Sequence, residues 1–240
     1  MRPLWKRSIC WQKGAGDEMF TVSPSIYSAD LLDLKTVLDK AKDFEHIHLD
    51  IDDGNFVKGI SFGCDLVCRI ASYTSVPLDV HLEVLNPMDH VDELAEAGVE
   101  MISAHVEALE DVKGFLDRVH GHGIKAGLAL NPGTDIETIR PYKDDIDILL
   151  LVSVVSGMKG LPFQTSVLKK VEMARKMLKE EVPIWVDGGI NDENLKDVVC
   201  AGADGVVIGR AVFKADDFKK AYDHFIDMGR RYERQVRGNG

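Results

Sequence analysis

Eight short runs of β-branched and aliphatic residues recur along this chain, and the longer stretches between them carry helical periodicity. The runs are FTVSPS (20–25), HIHLDI (46–51), LDVHLEV (78–84), MISAHVE (101–107), KAGLALN (125–131), DILLLVSV (147–154), PIWVDGG (183–189) and GVVIGRA (205–211). Such alternation is the pattern of βα units, whose crossover helices leave successive strands parallel. Gly98, Gly123 and Gly202 each precede a return to a strand, as a left-handed residue ending a helix should. Helix starts are legible too. Asn86-Pro87 opens one helix, Asn131-Pro132 forms a βα loop, and Asn191 caps the helix after the seventh run.

Eight parallel units in a chain of 240 residues point to an α/β fold of the closed (β/α)8 TIM-barrel type. An open doubly wound sheet shares the local grammar, but the dinucleotide fingerprint G-x-G-x-x-G is absent after the first run. The barrel is expected over residues 19–228. Residues 1–18 read as an N-terminal extension and residues 229–240 as a basic, frayed tail. The four cysteines, Cys10, Cys64, Cys68 and Cys200, lack paired zinc spacing and read as buried thiols.

A net charge of -11 argues against a general binder of nucleic acid or anionic membranes, whose affinity rests on basic surface. No apolar run approaches the roughly 20 residues that cross a bilayer, and the first residues lack the apolar core of a secretion signal. A soluble cytoplasmic protein is expected. Any anionic substrate must meet local positive charge, a metal or backbone amides.

In a barrel the polar residues that do chemistry sit at the C-terminal ends of the strands. His48, Asp50 and Asp52 share one face of the second run, because side chains two apart in a strand point the same way. Asp79, His81 and Glu83 repeat the device in the third run, and His105 and Glu107 in the fourth. The seventh ends at Asp187, before two glycines. One His-x-Asp is more often a hydrogen-bonded pair than a metal site. Three such strands plus Asp187 would bury too many unpaired charges, and a bound cation removes that cost. Mixed imidazole and carboxylate ligands suit zinc first, with manganese, iron or cobalt as alternatives.

The strings PSIYSAD, IHLDIDDGNFV, PLDVHLEVLNP, HVEA, KAGLALNPGT, VDGGI and AGADGVVIGRAVF resemble, in order, the signature segments of ribulose-phosphate 3-epimerases. The resemblance covers residues 20 to 215. It implies a ribulose-phosphate-binding barrel with one divalent ion held by His48, Asp50, His81 and Asp187. It assigns Asp50 and Asp187 as the two acid/bases that move a proton across C3 of D-ribulose 5-phosphate through an enediolate. Ser25 matches a serine near the substrate, and His81 also faces it. Phosphate is expected over the loops after runs six to eight, at Gly157, Lys159, Gly160, Gly188, Gly189, Gly209 and Arg210. A homo-oligomer is implied as well.

Where the family places methionines beside the metal, this chain has Asp52, Glu83 and Val152, and its lid reads SGMKGLPF from Ser156 to Phe163. Those three residues are candidates for setting specificity, and the substrate alternatives are allulose 6-phosphate or a tetrulose phosphate. A phosphate decarboxylase on a similar barrel would need a D-x-K-x-x-D array, but the run from Asp79 has no lysine. A non-catalytic sugar-phosphate binder would have no use for two opposed bases. His105, Glu107 and Asp79 read as supporting hydrogen-bond partners. His46, His90, His120, His122 and His224 carry no assigned function.

Overall fold

A computed structural model describes residues 20–155 and 161–238. Eight parallel strands form one sheet in the order β1-β8-β7-β6-β5-β4-β3-β2. They are β1 (Thr21–Pro24), β2 (Ile47–Asp52), β3 (Leu78–Glu83), β4 (Met101–His105), β5 (Lys125–Leu130), β6 (Ile148–Val152), β7 (Ile184–Asp187) and β8 (Gly205–Ile208). Every strand pairs with its neighbours in sequence, and β1 pairs with β8, which an open doubly wound sheet would not do. The ring closes between β1 and β2 through one parallel bridge, Ser25 to His48.

Helices cover the outside. α1 (Leu34–Lys40), α2 (Cys64–Tyr73), α3 (Val91–Glu96), α4 (Val112–Gly121), α5 (Ser166–Met177), α6 (Leu195–Cys200), α7 (Arg210–Phe213) and α8 (Phe218–Arg237) follow in chain order. Between β5 and β6 stands a 3-10 segment, Ile136–Tyr142, that contains Pro141; a proline inside a helix removes a backbone donor and clashes with the preceding turn. The outward side chains of the strands and the apolar helix faces form one large core. Gly98, Gly123 and Gly202 all have positive φ, as their places at helix ends require.

The barrel interior is layered. Met101, Ala129, Ile148, Leu150, Trp185 and Val207 fill its lower part as a separate apolar cluster. Gly205 leaves space for the indole, since a Cβ there would lie 2.6 Å from Trp185 Nε1. Above this plug the inward positions turn polar. Strand register sets Asp50 beside His81 and Asp52 beside Glu83 across β2 and β3, and Val152 beside Asp187 across β6 and β7.

Four sequence readings are corrected. The eighth strand ends at Ile208 instead of residue 211, and Arg210 begins α7. Asn194, not Asn191, is the N-cap of α6; Asn191 Oδ1 instead accepts the Glu193 amide at 2.9 Å in the turn before it. The basic tail from residue 229 is helical through Arg237, because it continues the face by which α8 covers the base of β1. Buried Glu233 accepts the Phe20 amide at 3.1 Å, and Gly229 lies so close to the Phe20 ring that a Cβ would overlap it. Cys64 is buried, but Cys200 is exposed.

Candidate metal centre

His48, Asp50, His81 and Asp187 come together at the mouth of the barrel, each offering a ligand atom within 4.8 Å of the others. Both imidazoles are buried, and the two carboxylates are half-buried. Asp50 Oδ1 lies 2.9 Å from His48 Nε2 and 3.3 Å from His81 Nδ1. Its other oxygen, Oδ2, accepts from Ser25 Oγ at 2.6 Å. The period of two in β2 and β3 produces this convergence, and the closing bridge brings Ser25 to the same place.

Asp79 stands behind His48. Its Oδ1 takes the Nδ1 side of the ring, while its Oδ2 accepts from Ser23 Oγ. A carboxylate on Nδ1 fixes the ring and turns Nε2 toward Asp50, which is how metal-binding histidines are usually held. Ser61 adds a clip that sequence reasoning missed: its hydroxyl donates to Asp50 O at 2.6 Å and accepts the Asp52 amide at 2.9 Å. A lone serine in a loop carries no sequence signal for this.

Burial lowers the basicity of His48, but the Asp79 and Asp50 charges outweigh it and hold the ring well above its ordinary value. Burial likewise works against Asp50 ionisation, and His48 with His81 reverses that, keeping the carboxyl well below the usual range. For Asp187 the balance goes the other way: burial, with the charges of Asp50 and Glu83, outweighs His48 and the Gly188 amide and pushes it up to about 7. His81 is held neutral by burial.

The donor set fits a divalent cation. His48 Nε2 and His81 Nδ1 both face Asp50 Oδ1, at 2.9 and 3.3 Å, and Asp187 adds a second carboxyl group to the same cluster. Two imidazole nitrogens and two carboxyl groups are a donor set that a divalent cation takes, and it would relieve the crowding of buried carboxyl groups.

The remaining expected positions are spread around the same rim. Gly188 and Gly189 have φ of 98° and 66°. A Cβ on Gly189 would lie 2.9 Å from Phe163 N, so the turn requires glycine. Asn191 and Asn194 fasten it by donating to Gly189 O at 3.3 and 2.9 Å. Gly209 abuts Ser28 Oγ, and Arg210 is exposed. Gly157, Lys159 and Gly160 lie outside the described residues. Asp52, Glu83 and Val152 are buried, the first two side by side.

The sequence matches the ribulose-phosphate 3 epimerase family over residues 21–213. The chain belongs to that family. A Bacillus subtilis protein named ribulose-phosphate 3-epimerase is 38% identical over 212 residues, covering 85% of this chain and 96% of the relative. The chloroplastic ribulose-5-phosphate-3-epimerase of Arabidopsis thaliana is 38% identical over 208 residues, with 83% and 74% covered. A Mycobacterium tuberculosis ribulose-phosphate 3-epimerase is 34% identical over 199 residues, with 82% and 87% covered.

Solved structures reproduce the barrel of this epimerase-family chain at low identity. Orotidine 5'-phosphate decarboxylase from Pyrococcus horikoshii superposes with a TM-score of 0.63 at 16% identity, covering 87% of this chain and 99% of its own. The tryptophan synthase α-subunit of Pyrococcus furiosus gives 0.62 at 17%, covering 92% and 98%. These likenesses concern the fold alone. The epimerase family comprises carbohydrate epimerases, so the chain is an isomerase by membership. Among the described residues, no helix is long and apolar enough to cross a membrane.

Proposed function

We propose that this chain epimerises a ketose phosphate at C3, interconverting D-ribulose 5-phosphate and D-xylulose 5-phosphate. The observation that carries the reading is the placement of two carboxyl groups from different strands in one site, where Asp50 and Asp187 converge with His48 and His81 within 4.8 Å. Inverting a carbon acid needs one group to remove a proton and another to return one from the opposite face, and two such carboxyl groups can divide that work. They stand on β2 and β7, with β1 and β8 between them around the ring. Asp50 takes the C3 proton from one face of the substrate, and Asp187 returns one to the other; the reverse reaction exchanges the roles. Ser25 holds Asp50 Oδ2 in place.

His48, Asp50, His81 and Asp187 would hold a divalent cation, with zinc the first choice, and it would supply positive charge where negative charge develops on the substrate oxygens. Phosphate sits over Gly188, Gly189, Gly209 and the exposed Arg210, joined by Gly157, Lys159 and Gly160. A second reading, allulose 6-phosphate or a tetrulose phosphate as substrate, is favoured by buried Asp52 and Glu83, anions where the family places apolar methionines. The same proposal places a homo-oligomer in the cytoplasm, and Leu32 and Ile60 offer exposed apolar surface after β1 and β2. Turnover of each candidate by the metal-loaded protein tests it. Epimerisation of none would overturn it.

A further inference from the structure

A second group of ligand-type side chains adjoins the first. His81, Glu83 and His105 are all buried, and one nitrogen or oxygen of each lies within 4.8 Å of the others. His105 Nε2 pairs with Glu83 Oε1 at 3.7 Å, an ion-pair distance longer than an ordinary hydrogen bond. Two ligands on one tetrahedral zinc at about 2.1 Å are themselves separated by about 3.4 Å, so the spacing is close to that of two donors around an ion.

The ring of His105 is supported like that of His48. His105 Nδ1 lies 3.1 Å from Glu107 Oε2, and Glu107 is fixed in turn by the Asn131 amide at 2.9 Å and by the Thr134 hydroxyl. A carboxylate behind Nδ1 leaves Nε2 as the donor on the Glu83 side. His48 has the same arrangement, with Asp79 behind and Asp50 in front. The barrel therefore repeats one device on neighbouring strands. His81 stands between the two, its ring centroid 5.7 Å from that of His48 and 4.9 Å from that of His105. Its Nδ1 faces Asp50 at 3.3 Å, and its buried Nε2 has no hydrogen-bond partner.

We propose that His81, Glu83 and His105 form a second divalent-cation site beside the first, with His81 shared between them. His81 gives one ring nitrogen to each ion, and its ring proton passes to solvent when the second ion loads. Glu83 makes this possible: the methionine that the resemblance places at this position offers no hard ligand. The proposal depends on the first site through His81.

The test is metal content of the full chain after chelator treatment and reloading with Zn2+, followed by titration with Co2+ read by visible absorption. Wild type is expected to bind two ions per chain; Glu83→Gln, Glu83→Met and His105→Asn are expected to bind one, the second ion weakening by at least about 100-fold. Asp187→Asn is expected to lose the first ion and keep the second. Circular dichroism melts identify any variant that fails to fold, and the wild-type count stands without the variants. One ion per chain in wild type, lost in Asp187→Asn, overturns the second site and leaves the first standing. Two ions that persist in every folded Glu83 and His105 variant overturn it as well. No ion in wild type overturns both.

Discussion

Ser25 Oγ donates to Asp50 Oδ2 at 2.6 Å, at the point where the barrel closes. The bond divides the work of the Asp50 carboxylate, since Oδ1 is turned to His48 and His81. Ser25→Ala frees Oδ2 to rotate. A hydrogen bond to a charged group contributes about 1.5–3 kcal/mol, so kcat is expected to fall by about 10- to 100-fold with little change in KM. An unchanged kcat would assign Ser25 to strand closure alone.

In the proposed reaction Asp50→Asn and Asp187→Asn each remove one of the two proton carriers. Steady-state assays are expected to give kcat lower by about 100-fold or more for each. The double variant should be little worse than either single one, because the two act as a unit. Additive losses would count against two opposed acid/bases.

The cation should change how stability depends on pH. In the ion-free protein Asp187 titrates at about 7, whereas in an unfolded chain it titrates at about 4. The folded state then holds a proton that the unfolded state has released, so this group's contribution falls as pH rises from about 4 to about 7. Bound Zn2+ requires the ionised carboxylate and neutral imidazoles, so its stabilisation should grow with pH. Thermal melts with and without Zn2+ should therefore diverge as pH rises from about 5.5 to about 7.5. A gap that narrows with pH would contradict this.

Asp52 sets a buried carboxyl group beside Glu83 where the resemblance places a methionine. A negative charge there opposes a developing enediolate. Asp52→Met is expected to raise kcat/KM for ribulose 5-phosphate about 10-fold, equivalent to about 1.4 kcal/mol. Equal turnover by variant and wild type would remove Asp52 from the residues that set specificity.

Gly189 combines a φ of 66° with close approach to the Phe163 backbone. Gly189→Ala is expected to cost about 1–3 kcal/mol in chemical denaturation. With phosphate bound as proposed over Gly188 and Gly189, it should also raise KM. A variant as stable as wild type would show that the turn relaxes.

Periodicity made most of this molecule legible. The spacing of two in HIHLDID and LDVHLE sets His48 with Asp50 on one face of β2 and His81 with Glu83 on one face of β3, the resemblance joins them, and glycines at 98, 123 and 202 mark helix ends. What escaped was set by contacts distant in sequence. Arg230 and Glu233 read as a charged tail because nothing local shows that Glu45 and Phe20 are waiting for them. Ser61 reads as a loop serine until β2 is folded beside it. Arg210 looked like the end of a strand because GVVIG is apolar on both sides, and only the close approach of Gly209 to Ser28 shows the chain turning there.

Proton NMR of ribulose 5-phosphate in deuterated water, with metal-loaded protein, tests the central claim most directly. The account predicts loss of the C3 proton signal together with appearance of xylulose 5-phosphate, and both should slow by about 100-fold or more in Asp187→Asn. No exchange at C3 of this or the alternative ketose phosphates, by a folded protein carrying its metal, would contradict it.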